Sequence, residues 1–207
     1  MWLPRDQEFT AELVIQRSRF LAIAARATTE DAARALVARQ RSAHPAARHH
    51  CSAFVVEVAH SQPVMRSSDD GEPAGTAGMP MLEVLRGSGY TNIAVVVVRY
   101  FGGIKLGTGG LVRAYAGAVS EVLRDAPAVE PVRRKLFTLS LDHADAGRVI
   151  AELSARGIEV ADIAYGQRAV LTLVGAPELV EAVALATRGA GQLQPAGERL
   201  VEVPVAR

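Results

Sequence analysis

The chain has one cysteine, two lysines and no long apolar run, and each shortage excludes something. Cys51 has no second cysteine to pair with, which fits a reducing compartment better than a disulfide-built secreted domain. The longest strongly apolar run, residues 93–98, is far short of the roughly 20 residues a membrane-spanning helix needs. It reads as a buried strand. The opening MWLPRDQEFTAEL has no basic start followed by an apolar stretch, so no secretory signal is expected, and the expected location is cytoplasmic, with no membrane contact. At 49% hydrophobic and 22% charged residues the composition is that of a folded protein, and disorder is not expected over any long stretch.

Since Lys105 and Lys135 are the only lysines, nearly all positive charge is guanidinium, which suits planar, bidentate anion contacts. A formal charge of +1 hides an asymmetry. Through residue 135 there are 17 Lys/Arg against 13 Asp/Glu, and afterwards 6 against 9. The basic part comes first, and a nucleic-acid partner would meet it there.

Two short β-rich runs, residues 9–16 and 19–25, predict a pair of strands. Thr28-Thr29-Glu30-Asp31 supplies hydroxyl caps and first-turn acids to a helix carrying Ala32, Ala33, Leu36 and Val37 on one face, which must end before Pro45. Residues 51–59 read as a strand. Residues 92–101 read as a central strand buried on both faces, because their apolar residues do not alternate. A loop and a short helix (76–87) lie between them, and residues 109–126 form a helix with Leu111, Tyr115, Val119 and Val122 on one side. After Arg133-Arg134-Lys135 the order is strand 137–141, helix 144–156, strands 158–164 and 169–174, helix 177–188 and strand 200–203. That βαββαβ order is ferredoxin-like, so the chain is read as α+β with two domains, 1–135 and 136–207.

Residues 99–115, RYFGGIKLGTGGLVRAY, place Gly102, Gly103, Gly107, Gly109 and Gly110 between the buried strand and a helix start. Backbone N–H groups at such a helix start attract anions, and the helix dipole has the favourable sign. Arg99, Lys105 and Arg113 lie beside them; Arg113 falls about 140° from the apolar face and is expected to be exposed. The loop is thus either an anion or RNA cradle or a tight strand-to-helix connection. It matches neither the Walker A nor the G-x-G-x-x-G pattern, so nucleotide hydrolysis and NAD chemistry have no motif support.

Residues 67–80, SSDDGEPAGTAGMP, gather Asp69, Asp70 and Glu72 around Gly71, and with His49 and His50 they are candidates for a polar cleft. The alternative is an Asp-Gly turn leading into a helix. The spacing matches no EF-hand, and neither metal nor cofactor is expected. Cys51 beside His50 is read as a buried structural thiol, since adjacent strand residues face opposite ways.

These two segments, with SRF at 18–20 and the His49-His50 pair, resemble the YigZ/IMPACT family over residues 18–123. The chain departs in having Cys51-Ser52-Ala53-Phe54 where relatives often carry a tyrosine. The resemblance implies a first domain of the ribosomal protein S-five domain-two-like fold and a second similar to the later domains of elongation factor G. It also implies a role near translation, because eukaryotic relatives restrain a general-control kinase with the help of an additional RWD domain. The leading expectation is a non-enzymatic protein that contacts RNA, the ribosome or a translation factor through its basic first domain. The alternatives are an enzyme holding a phosphorylated or carboxylated small molecule at the glycine loop, and a protein-interaction module with an exposed apolar patch.

Overall fold

The computed structural model describes residues 1–205. Five strands come first along the chain: β1 (Glu8–Ile15), β2 (Ser18–Arg26), β3 (His49–Val56), β4 (Val64–Ser68) and β5 (Ile93–Tyr100). They form one antiparallel sheet in the order β1-β2-β5-β3-β4. Helix α1 (Glu30–Ala43) covers one face, over Ile23, Val96 and Val98. Helices α2 (Gly78–Ser88) and α3 (Gly107–Arg124) cover the other, over Phe20, Val95 and Val97. This double cover is why β5 is apolar without alternation: it is buried from Ile93 through Arg99.

Local chemistry sets the connections. Thr29 caps α1, its Oγ1 accepting from the Ala32 N–H at 3.0 Å, a contact worth about 1 kcal/mol in such positions. The β1–β2 hairpin turns on Gln16 and Arg17, both with positive φ (45° and 64°), the geometry whose twist suits a two-residue hairpin. The end of β5 packs directly against this turn at Gly102, whose N–H donates to the Ser18 hydroxyl at 3.1 Å. An added Cβ on Gly102 would lie 2.1 Å from the Arg17 carbonyl carbon, so only glycine fits there.

The chain divides into two compact units, Met1–Glu130 with Pro204 and Val205, and Pro131–Val203. In the second part β6 (Ala128–Leu141), α4 (His143–Ala155), β7 (Val160–Tyr165), β8 (Ala169–Val174), α5 (Leu179–Ala186) and β9 (Leu193–Val205) follow the βαββαβ order. Their sheet order, β7-β8-β6-β9, is that of a ferredoxin-like fold. The core here is built from Leu139, Val149, Leu153, Leu171, Leu173 and Val183. The protein is thus α+β with two sheets.

Several boundaries differ from the sequence expectation by a few residues, and one strand was not expected. Strand β4 reads VMRSS, too short and polar to announce itself, and pairs only with β3 as an edge strand. Strand β6 starts at Ala128 instead of 137 and runs straight through Arg133-Arg134-Lys135, because alternating exposed cations are compatible with an extended ladder. Strand β9 starts at Leu193 instead of 200, and α3 at Gly107 instead of 109.

Candidate functional site

Strand register decides which side chains meet. His49 on β3 pairs directly with Arg99 on β5, so both face the side covered by α2 and α3. Arg99 is only 6% exposed, and its Nη1 donates to Glu72 Oε1 at 2.6 Å. The Tyr115 hydroxyl, from α3, donates to the same oxygen at 2.8 Å. Burial, reinforced by Cys51 and Glu72, raises the Tyr115 pKa and keeps this donor protonated. The guanidinium lies 5.3 Å from the Phe20 ring and 5.6 Å from the Phe101 ring, as a flat cation between aromatic faces. Phe20 in turn meets Tyr115 edge-to-face at 5.2 Å.

Of the two readings of the acidic segment, the Asp-Gly turn leading into a helix describes Asp69 and Asp70. Asp69 accepts from the backbone N–H groups of Gly75 (2.8 Å), Ala77 (3.0 Å) and Gly78 (2.8 Å), closing the loop ahead of α2. Asp70 accepts from the His50 backbone N–H at 2.6 Å and pairs with Arg41. The Asp70 carbonyl accepts from His49 Nδ1 at 2.9 Å, leaving His49 Nε2 3.9 Å from Glu72. Asp69, Asp70 and His50 therefore build the turn that aims Glu72 and His49; they do not line the cleft those two residues share. Cys51 donates to the Asp69 carbonyl at 3.0 Å, and burial pushes its thiol up to about 12, so it is an inert packing residue.

This turn makes stability sensitive to acid. Burial lowers the His50 pKa against the pull of Asp70. Burial alone would raise that of Asp69, but the N–H groups of Gly75, Gly78 and Ala77 outweigh it and hold the carboxyl below its ordinary value. Both groups take up protons more readily unfolded than folded, so stability is complete at neutral pH and is lost as pH falls. The urea midpoint is expected to decline as pH drops below about 6.5, where unfolded histidine charges, and more steeply below about 4, where Asp69 contributes. Asp69→Asn should flatten the lower part of that curve.

Glu72 and Arg99 form the floor of a cleft of about 440 Å³. Its walls carry Arg48 and His49 from the β3 side and Phe101, Lys105 and the start of α3 from the other. Helix α3 begins without an acid in its first turn, and among the described residues no side chain caps it. Its first N–H groups are thus available beside the cleft at Leu106, Gly107 and Thr108. Glu72 and Arg99 compensate each other, whereas among the described residues neither Arg48 nor Lys105 pairs with a carboxylate. Phe101 and Ile104 stand 49% and 41% exposed on the loop.

The glycines divide by role. Gly102 permits close packing, Gly103 and Gly107 adopt positive φ (87° and 69°), and Gly109 and Gly110 lie inside α3. Arg113 is exposed, as expected, but does not line the cleft with Lys105; the proposed cradle of loop, Lys105 and Arg113 is not assembled. Arg48, Phe101 and Thr108 complete it and were not singled out from sequence. Arg48 had one readable signal, its place immediately before the His49-His50 pair. The cleft of the second unit, about 110 Å³, holds Arg148 and Arg168, but Asp145, Glu152 and Asp142 already pair with them. Among the described residues no three His, Cys, Asp or Glu side chains are grouped to hold a metal, and no helix is long and apolar enough to cross a membrane.

Comparison with known proteins adds the following. Residues 16–123 match the Impact N-terminal domain family. The chain is 45% identical over 142 residues to the IMPACT family member YigZ of Escherichia coli (strain K12), covering 69% of this chain and 70% of that one. It is 40% identical over 156 residues to the IMPACT family member YvyE of Bacillus subtilis (strain 168), covering 75% and 71%. A crystal structure of a hypothetical protein is similar with a TM-score of 0.60 and 38% identity, over 93% of this chain and 95% of that one.

Proposed function

This chain belongs to the IMPACT family, and we propose that it is a non-enzymatic, translation-associated RNA-binding protein that holds phosphate in the cleft between β3, β5 and α3. One observation carries the reading: Arg48, Lys105 and the uncapped start of α3 converge on a single cleft where, among the described residues, Glu72 is the one carboxylate and is already neutralised by Arg99. Two uncompensated cations and free N–H groups attract phosphate. Phe101 at the edge offers a ring for a base to stack on, the pairing of features found in single-strand binders. The motif resemblance to proteins of translational control supplies the biological setting, and RNA or the ribosome is the partner that suits this chemistry.

Binding is favoured over catalysis by the state of the reactive groups. The Glu72 carboxylate is occupied by Arg99 and Tyr115, and the lone thiol is buried and protonated. Neither is poised as a base or nucleophile.

The test is a titration of single-stranded RNA over a salt series. With two cations engaged, log K against log salt should have a slope of about −1.4, since each phosphate neutralised on a single strand contributes about −0.7. Lys105→Ala and Arg48→Ala should each remove about 0.7 from that slope and change stability by no more than about 0.5 kcal/mol. Absence of binding at low salt, or a slope unmoved by both substitutions, overturns the reading.

A further inference from the structure

We infer that the cleft receives the terminal phosphomonoester of an RNA strand in preference to an internal phosphodiester, an inference that rests on the RNA reading above. Charge is the first reason. Arg48 and Lys105 are uncompensated and the start of α3 adds a partial positive charge. A phosphomonoester carries about −1.5 to −2 at neutral pH and offers three acceptor oxygens; a diester carries a single charge. The charge of the monoester matches the two cations and that of the diester does not.

Shape is the second. The floor is closed, because Glu72, Arg99 and Leu111 are 8%, 6% and 6% exposed and Tyr115 lies behind them fully buried. A group can point into such a cleft but a strand cannot pass through it. An internal phosphate has ester links on both sides that must lead back out, whereas a terminal one has only one. At about 440 Å³ the cleft falls within the roughly 300–1,000 Å³ of sites that enclose small molecules, enough for one nucleotide end.

A third observation is independent of the helix start. Among the described residues Arg99 is hydrogen-bonded through Nη1 alone, and its Nε is buried without a partner. A guanidinium with unused donors on the floor of a cationic cleft is an anomaly in a finished core, because buried donors are normally paired. Arg99 lines the cleft, so a phosphate entering there brings acceptors to the cleft-facing side of its guanidinium. Phe101, whose ring flanks the same guanidinium, stands where the terminal base would stack.

The experiment compares one oligoribonucleotide sequence in three forms: 5′-phosphorylated, 3′-phosphorylated, and with hydroxyls at both ends. Dissociation constants are measured at one low salt concentration for the unsubstituted chain and for Arg48→Ala, Lys105→Ala and, as a control cation on the far end of α3, Arg124→Ala. At least one phosphorylated form should bind about tenfold tighter than the hydroxyl form, the size of one charge-assisted hydrogen bond. The two forms identify which end is held. Arg48→Ala and Lys105→Ala should abolish the preference and Arg124→Ala should retain it. A nucleoside monophosphate that competes as well as the phosphorylated strand would support the site and make the free nucleotide its source. Equal affinity for all three forms, with binding still weakened by Lys105→Ala, overturns this inference and leaves the RNA reading standing. No binding of any form overturns both.

Discussion

Glu72→Ala is expected to destabilise the first unit by roughly 3–5 kcal/mol, the penalty for leaving one member of a buried ion pair without its partner. The side chains of Glu72 and Arg99 are 3% and 7% exposed, so water cannot replace the lost carboxylate. Tyr115 loses its acceptor at the same time. The converse, Arg99→Ala, should cost a similar amount. The double substitution Glu72→Leu with Arg99→Met should recover most of it, because two apolar side chains of similar size require no compensation. Urea denaturation of the four proteins reads this directly. If both single variants lose under about 1 kcal/mol, the buried pair does not hold the first unit together. If the double variant folds as well as the parent and loses RNA affinity, the pair is retained for binding and not for stability.

The second large effect is at Gly102. Alanine there should be severely destabilising, in the class above about 4 kcal/mol that arises when a close backbone contact is blocked. The added Cβ would meet the Arg17 carbonyl carbon at 2.1 Å, its oxygen at 2.2 Å and the Ser18 nitrogen at 2.4 Å. All three are backbone atoms of the hairpin turn, and relief requires the turn to part from the end of β5. Gly109, seven residues on in the same motif, should behave in the opposite way. It sits in α3 without positive φ, and its added Cβ would approach only the mobile end of Arg113, at 3.6 Å. Gly109→Ala should therefore be neutral or stabilise by up to about 1 kcal/mol through helix propensity. A thermal melt of the two variants distinguishes them.

These contrasting glycines show where sequence reading succeeds and where it stops. The unalternating run of β5 announced a strand covered on both faces, and the caps at Thr29 and the stop at Pro45 framed α1, because those signals are local. The five glycines looked alike, since nothing near Gly102 in the chain reveals that Arg17, far earlier, presses against it. Glu72 was visible as one acid among three. Its separation from Asp69 and Asp70 depends on which backbone N–H groups the turn presents to each, a fact of three dimensions. Arg48 was missed for a related reason: it joins Lys105 only because β3 and β5 pair in the register that sets His49 against Arg99. Arg113 was placed correctly on the exposed side of its helix, but exposure alone did not place it in the cleft.

RNA phosphate held in the cleft between β3, β5 and α3 leaves a local signature. The most direct measurement is chemical-shift mapping of the full chain by NMR as single-stranded RNA is added at low salt. The amides of residues 103–109, the His49 signals and the Phe101 ring are expected to respond first and saturate together, with the α1 face and the second unit unmoved. Shifts centred on residues 131–203, or on the face covered by α1, would contradict it.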